Sequence, residues 1–223
     1  MVIKMDILLI IIIILPLIAQ IMVKSKYSKY TKEQNSLGLT GYDVAKKILE
    51  MNNLSNVTIG KTGGLLSDHY NPTNKTVNLS ASIYEGKSIA SIAVAAHEVG
   101  HAIQDKELYQ PMVVRSKLVP AVNFSSRASS IILAIGIILG FGGLIDLAIL
   151  LLCVSLLFQL ITLPVEFNAS ERAKEELKKC GYIQDKDTKG VSKMLKAAAF
   201  TYVATFLASA LQVIRLFMAT RDN

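Results

Sequence analysis

The chain has 223 residues, of which 52% are hydrophobic and only 18% charged, and its formal charge is +7. An ordinary soluble domain carries more charge than this, so the balance points to a membrane protein with room for one modest domain and a few spans. The basic residues crowd beside apolar runs rather than among aromatics, and tryptophan is absent. That pattern suits membrane-flanking charge and makes no nucleic-acid partner expected. Cys153 and Cys180 lack CxxC spacing, so neither a disulfide framework nor a cysteine-zinc site is suggested.

Residues 7–23 are almost wholly apolar, with Pro16 and Gln20 as exceptions. At about 1.5 Å per residue this run just crosses a bilayer core with help from its flanks. No small-x-small cleavage site precedes the basic run Lys24, Lys26, Lys29 and Lys32, so an uncleaved anchor over 1–23 is expected. Four lysines follow it, against Lys4 and Asp6 before it. The positive-inside rule therefore places the segment that follows in the cytoplasm.

Residues 24–118 read as the first part of a catalytic domain. Thr40 caps a short amphipathic helix over 44–51, with Val44, Ala45, Ile48 and Leu49 at helical spacing, and Asn52-Asn53 stops it. Val57-Thr58-Ile59 reads as a strand and Gly60 to Gly64 as a turn. After a second turn at Thr73-Asn74-Lys75, residues 76–80 alternate as a half-buried strand. Then comes His97-Glu98-Val99-Gly100-His101, in an otherwise uncharged helical stretch that ends near Lys106. Histidines four apart lie on one helix face and can share one metal ion, usually zinc. A carboxylate at Glu98 can reach a metal-activated water as general base. Gly100 costs about 1 kcal/mol inside a helix, and close approach of another backbone or of substrate would explain it. A strand edge before such a helix commonly pairs with an extended substrate.

Pro111 and Pro120 mark connections. The longest apolar tract, about 129–163, is interrupted by Gly140-Phe141-Gly142-Gly143 and Asp146. One helix of that length would be roughly 50 Å long against a ~30 Å core, so two spans with a turn at the glycines fit better. The expected hairpin is 119–163, followed by a second part of the catalytic domain, 164–196. Residues 181–190 read as a polar loop. An apolar helix over 197–223 either spans the membrane or packs on the catalytic helices.

A catalytic zinc needs a third protein ligand. Glu107, His69 and Glu166 are the candidates. Glu166 is favoured because it ends an apolar span and opens a helix running to Lys179. If Glu166 meets the histidines, both segments lie on one side of the membrane, and the tract between them crosses twice. The length argument gives the same hairpin.

The stretches GLLSDHYNPTNKTVNLSASIY, AAHEVGHAIQD and FQLITLPVEFNASERA together resemble the bacterial neutral zinc metallopeptidase family of membrane proteins, over nearly the whole chain. More distantly the chain is similar to gluzincin membrane peptidases, including the CAAX prenyl endopeptidases. The resemblance implies that His97, His101 and Glu166 bind one Zn2+ per chain and that Glu98 is the general base. Wider gluzincins commonly carry Ala-Asp at the third and fourth positions after the ligand glutamate. Here Ala169 and Ser170 stand there, which opens the question of whether Asn168 or Ser170 orients a ligand.

The expectation is a mainly α membrane protein: a zincin-like catalytic domain with an HExxH helix and a small β-sheet, plus about three to four transmembrane helices. Its expected partners are the lipid bilayer and a peptide or membrane-protein substrate. It is expected in the cell membrane as a multi-pass protein, with its catalytic domain on the cytoplasmic side. His69, Tyr70 and Tyr202 are candidates for substrate or oxyanion contacts. The alternative is a non-catalytic membrane protein with a structural zinc site.

Overall fold

The computed structural model describes residues 2–221, with side chains described for 7–220. Met1 and the last two residues, assigned above to the anchor and the C-terminal helix, lie outside the described residues. The elements in chain order are α1 (Val2–Lys32), α2 (Gly41–Met51), β1 (Thr58–Thr62), β2 (His69–Asn71), β3 (Thr76–Ser80), α3 (Ala81–Tyr84), α4 (Ile89–Lys106), α5 (Gln110–Leu139), α6 (Gly142–Lys179) and α7 (Asp185–Arg221). The chain divides into two compact units. One takes the residues up to Gln20, Val113–Pro164 and those from Phe200; the other takes Ile21–Met112 and Val165–Ala199.

In the second unit, α4 is the central element. Fourteen of its 18 residues are buried, as expected for a helix that is apolar on nearly every face. Ser88 caps it by accepting from the Ser91 N–H at 3.0 Å. Helix α2 lays Val44, Ala45, Ile48 and Leu49 into the same core, together with Leu79, Ile83, Ile92, Val99 and Leu177. Thr40 and Asp43 close a reciprocal capping box at its start. The buried Asp187 carboxylate accepts from the Ser36 N–H at 3.2 Å and the Gln184 N–H at 3.1 Å, which ties the start of α7 to the end of α1's loop.

The sheet has the order β1-β3-β2. Central β3 pairs parallel with β1 and antiparallel with β2. Its alternation is real: Val77 and Leu79 are fully buried. β2 is the edge strand. It is only three residues long, and β1 runs on through Gly60 to Thr62. The expected turn at Gly60 therefore begins later, because the Gly60 backbone pairs with Asn78 in the ladder.

The other unit is helical. Among the described residues four helices, which run on into both units, are long and apolar enough to cross a membrane: Ile7–Lys32, Gln110–Leu139, Gly142–Lys179 and Asp185–Thr220. Ile10, Ile13, Leu17, Ile131, Ile138, Leu150 and Leu157 are exposed. An outward apolar surface of this kind marks a membrane or protein contact. Gly140 ends α5 with φ +62, a left-handed conformation suited to glycine, and the Phe141 N–H returns to the Gly136 carbonyl at 3.0 Å. The glycine turn thus lies where the sequence placed it.

The helices are longer than expected. Pro120 is inside α5 and marks no connection, and Pro111 occupies the first turn, where a missing N–H costs nothing. Pro164 is inside α6, so Glu166 sits mid-helix and does not open a new one. In lipid a backbone that leaves the helix finds no water to bond, so a span tolerates proline rather than breaking at it. The polar stretch from Gly181 shortens to a few residues before α7 begins at Asp185.

Replacing Thr40 by alanine removes the α2 cap. It should lower stability by about 1 kcal/mol, read as a fall of roughly 2–4 °C in the melting temperature of the detergent-purified protein.

Candidate metal centre

Helix α4 sets His97 and His101 one turn apart on one face, their ring centroids 4.8 Å apart and the rings nearly perpendicular. The third side chain arrives on the Val165–Lys179 part of α6. A Cβ built on Gly100 would lie 2.8 Å from the Ala169 carbonyl oxygen. The α6 backbone therefore presses directly on Gly100, which answers why glycine stands inside the motif. Val165, Ala169, Ala173 and Leu177 are fully buried along the same stripe of α6.

Glu166, three residues before Ala169, comes to the histidines by that contact. Its Oε2 lies 3.3 Å from His97 Nε2 and 3.6 Å from His101 Nε2. Ligand atoms from the three residues all fall within 4.8 Å of one another, the one such cluster among the described residues. Zinc with bonds of 2.0–2.1 Å in a tetrahedron separates its ligands by about 3.3–3.4 Å. The donor set, two imidazoles and a carboxylate, is also one that zinc accepts. His97 keeps 14% of its side chain exposed against 3% for Glu166, so the cluster is open on the His97 side.

The remaining ring nitrogens face protein groups. His101 Nδ1 lies 2.9 Å from Gln104 Oε1, and His97 Nδ1 lies 3.3 Å from the Ser170 hydroxyl. Asn168 touches neither ligand ring. It accepts from Gln104 at 2.9 Å and from Arg172 Nε at 2.8 Å.

Glu98 is buried beside the cluster. Burial pushes its carboxyl up to about 7; nearby His97 pulls it down, Glu166 and Asp68 push it up, and a hydrogen bond from the Tyr70 backbone N–H favours the charged form. The edge strand β2 thus meets the HExxH helix through its backbone. The Tyr70 hydroxyl instead donates to Asp105 Oδ2 at 2.6 Å, an oxygen it shares with Lys75 Nζ. Burial and then Asp105 hold this phenol well above its usual range.

His69 is exposed, with Nδ1 2.8 Å from the Ser67 carbonyl and Nε2 3.2 Å from Asn78, outside the cluster. Glu107 is paired with Arg172 Nη2 at 2.6 Å, also outside it. Tyr202 is on α7 in the membrane-type unit. Gln104 was not foreseen as a partner of the histidines. Its signal was a lone amide three residues after His101 on an apolar helix.

Comparison with known proteins agrees with the geometry. Residues 5–221 match the model of a protein family described as "Putative neutral zinc metallopeptidase". The chain is 46% identical over 208 residues to the "Putative membrane protease YugP" of Bacillus subtilis (strain 168), covering 92% of each chain. No solved structure matches.

Gly100→Ala separates helix propensity from the helix crossing. Propensity alone would stabilise the variant by about 1 kcal/mol. The Ala169 contact predicts the opposite sign, a loss of about 1–3 kcal/mol, with zinc affinity falling roughly tenfold or more. Thermal melting and a competition titration with a chromogenic chelator read both; a raised melting temperature with intact affinity would remove the crossing argument.

Proposed function

From its membership of the neutral zinc metallopeptidase family, to which the chain belongs, we propose that this protein is a membrane-embedded zinc endopeptidase. The observation that carries the reading is the convergence of His97 Nε2 and His101 Nε2 on Glu166 Oε2, at 3.3 and 3.6 Å, with the ligand atoms all within 4.8 Å of one another. These three residues would hold one zinc ion. Bound there, zinc supplies a Lewis acid that polarises a carbonyl and acidifies water at neutral pH.

The rest is the work of the chain. Glu98 is the general base: it takes a proton from the attacking water and delivers it to the leaving amine. The Tyr70 N–H holds this carboxylate in place from the edge of the sheet. Edge strand β2 lies beside the base, so an extended substrate would add to the sheet there. A structural zinc site favours a closed set of four ligands, commonly cysteines; three nitrogen and oxygen donors open on the His97 side fit catalysis better.

The two segments that supply the ligands, Ile89–Lys106 and Val165–Lys179, are separated in sequence by α5 and the first part of α6, each belonging to a candidate span. Two crossings return the chain to the same face, and the lysines after the first span favour the cytoplasmic face. A site whose ligand segments are joined in sequence by candidate spans suits membrane-protein segments or membrane-bound peptides as substrates.

The deciding experiment measures zinc content and cleavage of casein and a membrane-spanning peptide, for wild type and Glu98→Gln side by side. One zinc per chain in both, with cleavage reduced by roughly 10²–10⁴-fold in the variant, is expected. A chelator should abolish wild-type cleavage and added zinc restore it, whereas Glu166→Gln should lose the metal. Equal cleavage by wild type and Glu98→Gln would reject Glu98 as the base.

A further inference from the structure

We propose that Gln104 sets which nitrogen of His101 is free for the metal and ties that ring to the helix carrying Glu166. The inference rests on the zinc reading above, but it is tested by metal affinity and ring protonation, not by hydrolysis.

Gln104 is fully buried. Its Nε2 lies 2.8 Å from the Val165 carbonyl and 2.9 Å from Asn168 Oδ1, and its Oε1 lies 2.9 Å from His101 Nδ1. Which end of an amide is nitrogen must be argued from its neighbours, and here two neighbours have no choice. A backbone carbonyl only accepts, so Gln104 turns its NH₂ toward Val165. A guanidinium only donates, so Asn168 turns its oxygen toward Arg172 Nε at 2.8 Å, and the second Gln104 N–H goes to that same oxygen. Both donors of Gln104 are then used, and its oxygen is left facing His101.

An amide oxygen accepts only, so His101 Nδ1 carries the proton. In the neutral ring its Nε2, the atom 3.6 Å from Glu166 Oε2, then keeps its lone pair. A ring nitrogen binds metal only in that state, and the proton on the other nitrogen holds the ring's orientation. The far end of this chain is secured by the Arg172–Glu107 ion pair at 2.6 Å.

His97 lacks such a device. Its Nδ1 faces the Ser170 hydroxyl at 3.3 Å, and a hydroxyl turns to donate or accept. The two metal-facing histidines are therefore unequal: His101 is set in advance and His97 adjusts. Packing alone does not account for an amide at position 104, since a buried amide is costly unless bonded, and here its donors and its acceptor all have partners. Val165 directly precedes Glu166, so the same residue couples the His101 ring to the backbone of the third ligand.

The chain has three histidines, so ¹⁵N-histidine labelling of the full-length protein in detergent gives a spectrum of three rings. In the zinc-loaded wild type, His101 should bind metal through Nε2 and show a slowly exchanging Nδ1 proton, while the His97 Nδ1 proton exchanges faster. Gln104→Met should expose the His101 proton to fast exchange and raise the zinc Kd by roughly 10–100-fold. Asn168→Leu leaves the Val165 bond intact, so it should keep the proton protected and change the Kd by less than about threefold.

Wild-type affinity in Gln104→Met overturns the proposal. So does an equal loss in both variants, which would reduce Gln104 to a strut between helices, and so does metal on Nδ1 of His101 in the wild type. If Gln104→Met does not fold, Gln104→Glu keeps an acceptor facing Nδ1, and loss of the protected proton there overturns it equally. A wild type that binds no zinc fails the peptidase reading itself; a Gln104→Met that binds like wild type fails only this inference.

Discussion

Gly100 touches the backbone of α6 at Ala169, and the metal site is a consequence of that one contact. With a side chain at position 100 the two helices could not come this close. At this distance, residues within a turn of Ala169 reach across to α4. Glu166 meets both histidines, Ser170 meets His97, and the Val165 carbonyl meets Gln104. Further along, Ala173 and Leu177 continue the buried stripe and share a core with the alanines and Val99 of α4. The small residues of the HExxH helix, which look like mere apolar filler, are what permit the approach.

This arrangement is expensive unless it serves a purpose. Glu98, His101, Glu166 and Gln104 are all nearly or wholly removed from water within a few turns of helix. Burying an unpaired charge costs several kcal/mol even after relaxation, and a hydrophobic set of the same volume would be more stable. Each group here is answered by a specific partner: a backbone N–H for Glu98, an amide for His101, two imidazoles for Glu166. A concentration of satisfied but costly polar groups at one crossing is what a metal-binding or functional site requires and a merely stable core does not.

What could be read in the sequence follows from physics that acts within a few residues. The i, i+4 histidines, the Thr40 cap, the alternation of β3 and the glycine turn after Leu139 all depend on local geometry, and the structure has each of them. Glu166 was reachable because the length of the apolar tract and the need for a third ligand converged on the same hairpin. β2 escaped because three residues are too few to show a period. The prolines misled because they were weighed as in water. In a helix that crosses a membrane the alternative is an unbonded backbone in lipid, and α5 and α6, both candidate spans, keep Pro120 and Pro164 helical. Gln104 escaped for another reason: its partners lie 61 and 64 residues away on α6. No local pattern carries such a pairing.

The unbroken course of α6 has a further consequence. Glu166 lies within the unbroken helix Gly142–Lys179 and not after a loop, and the phase of its carboxylate toward α4 is set by where Ala169 seats against Gly100. Pro164, two residues before Glu166, lacks the N–H that would have bonded one turn back, so the ladder has one missing rung just ahead of the ligand. The backbone there is correspondingly easier to bend. The Val165 carbonyl, next to that rung, is the acceptor that Gln104 takes from α4. The softest point of α6 is thus clamped to the helix that bears the histidines, and the two halves of the site keep a common register although 64 residues separate His101 from Val165.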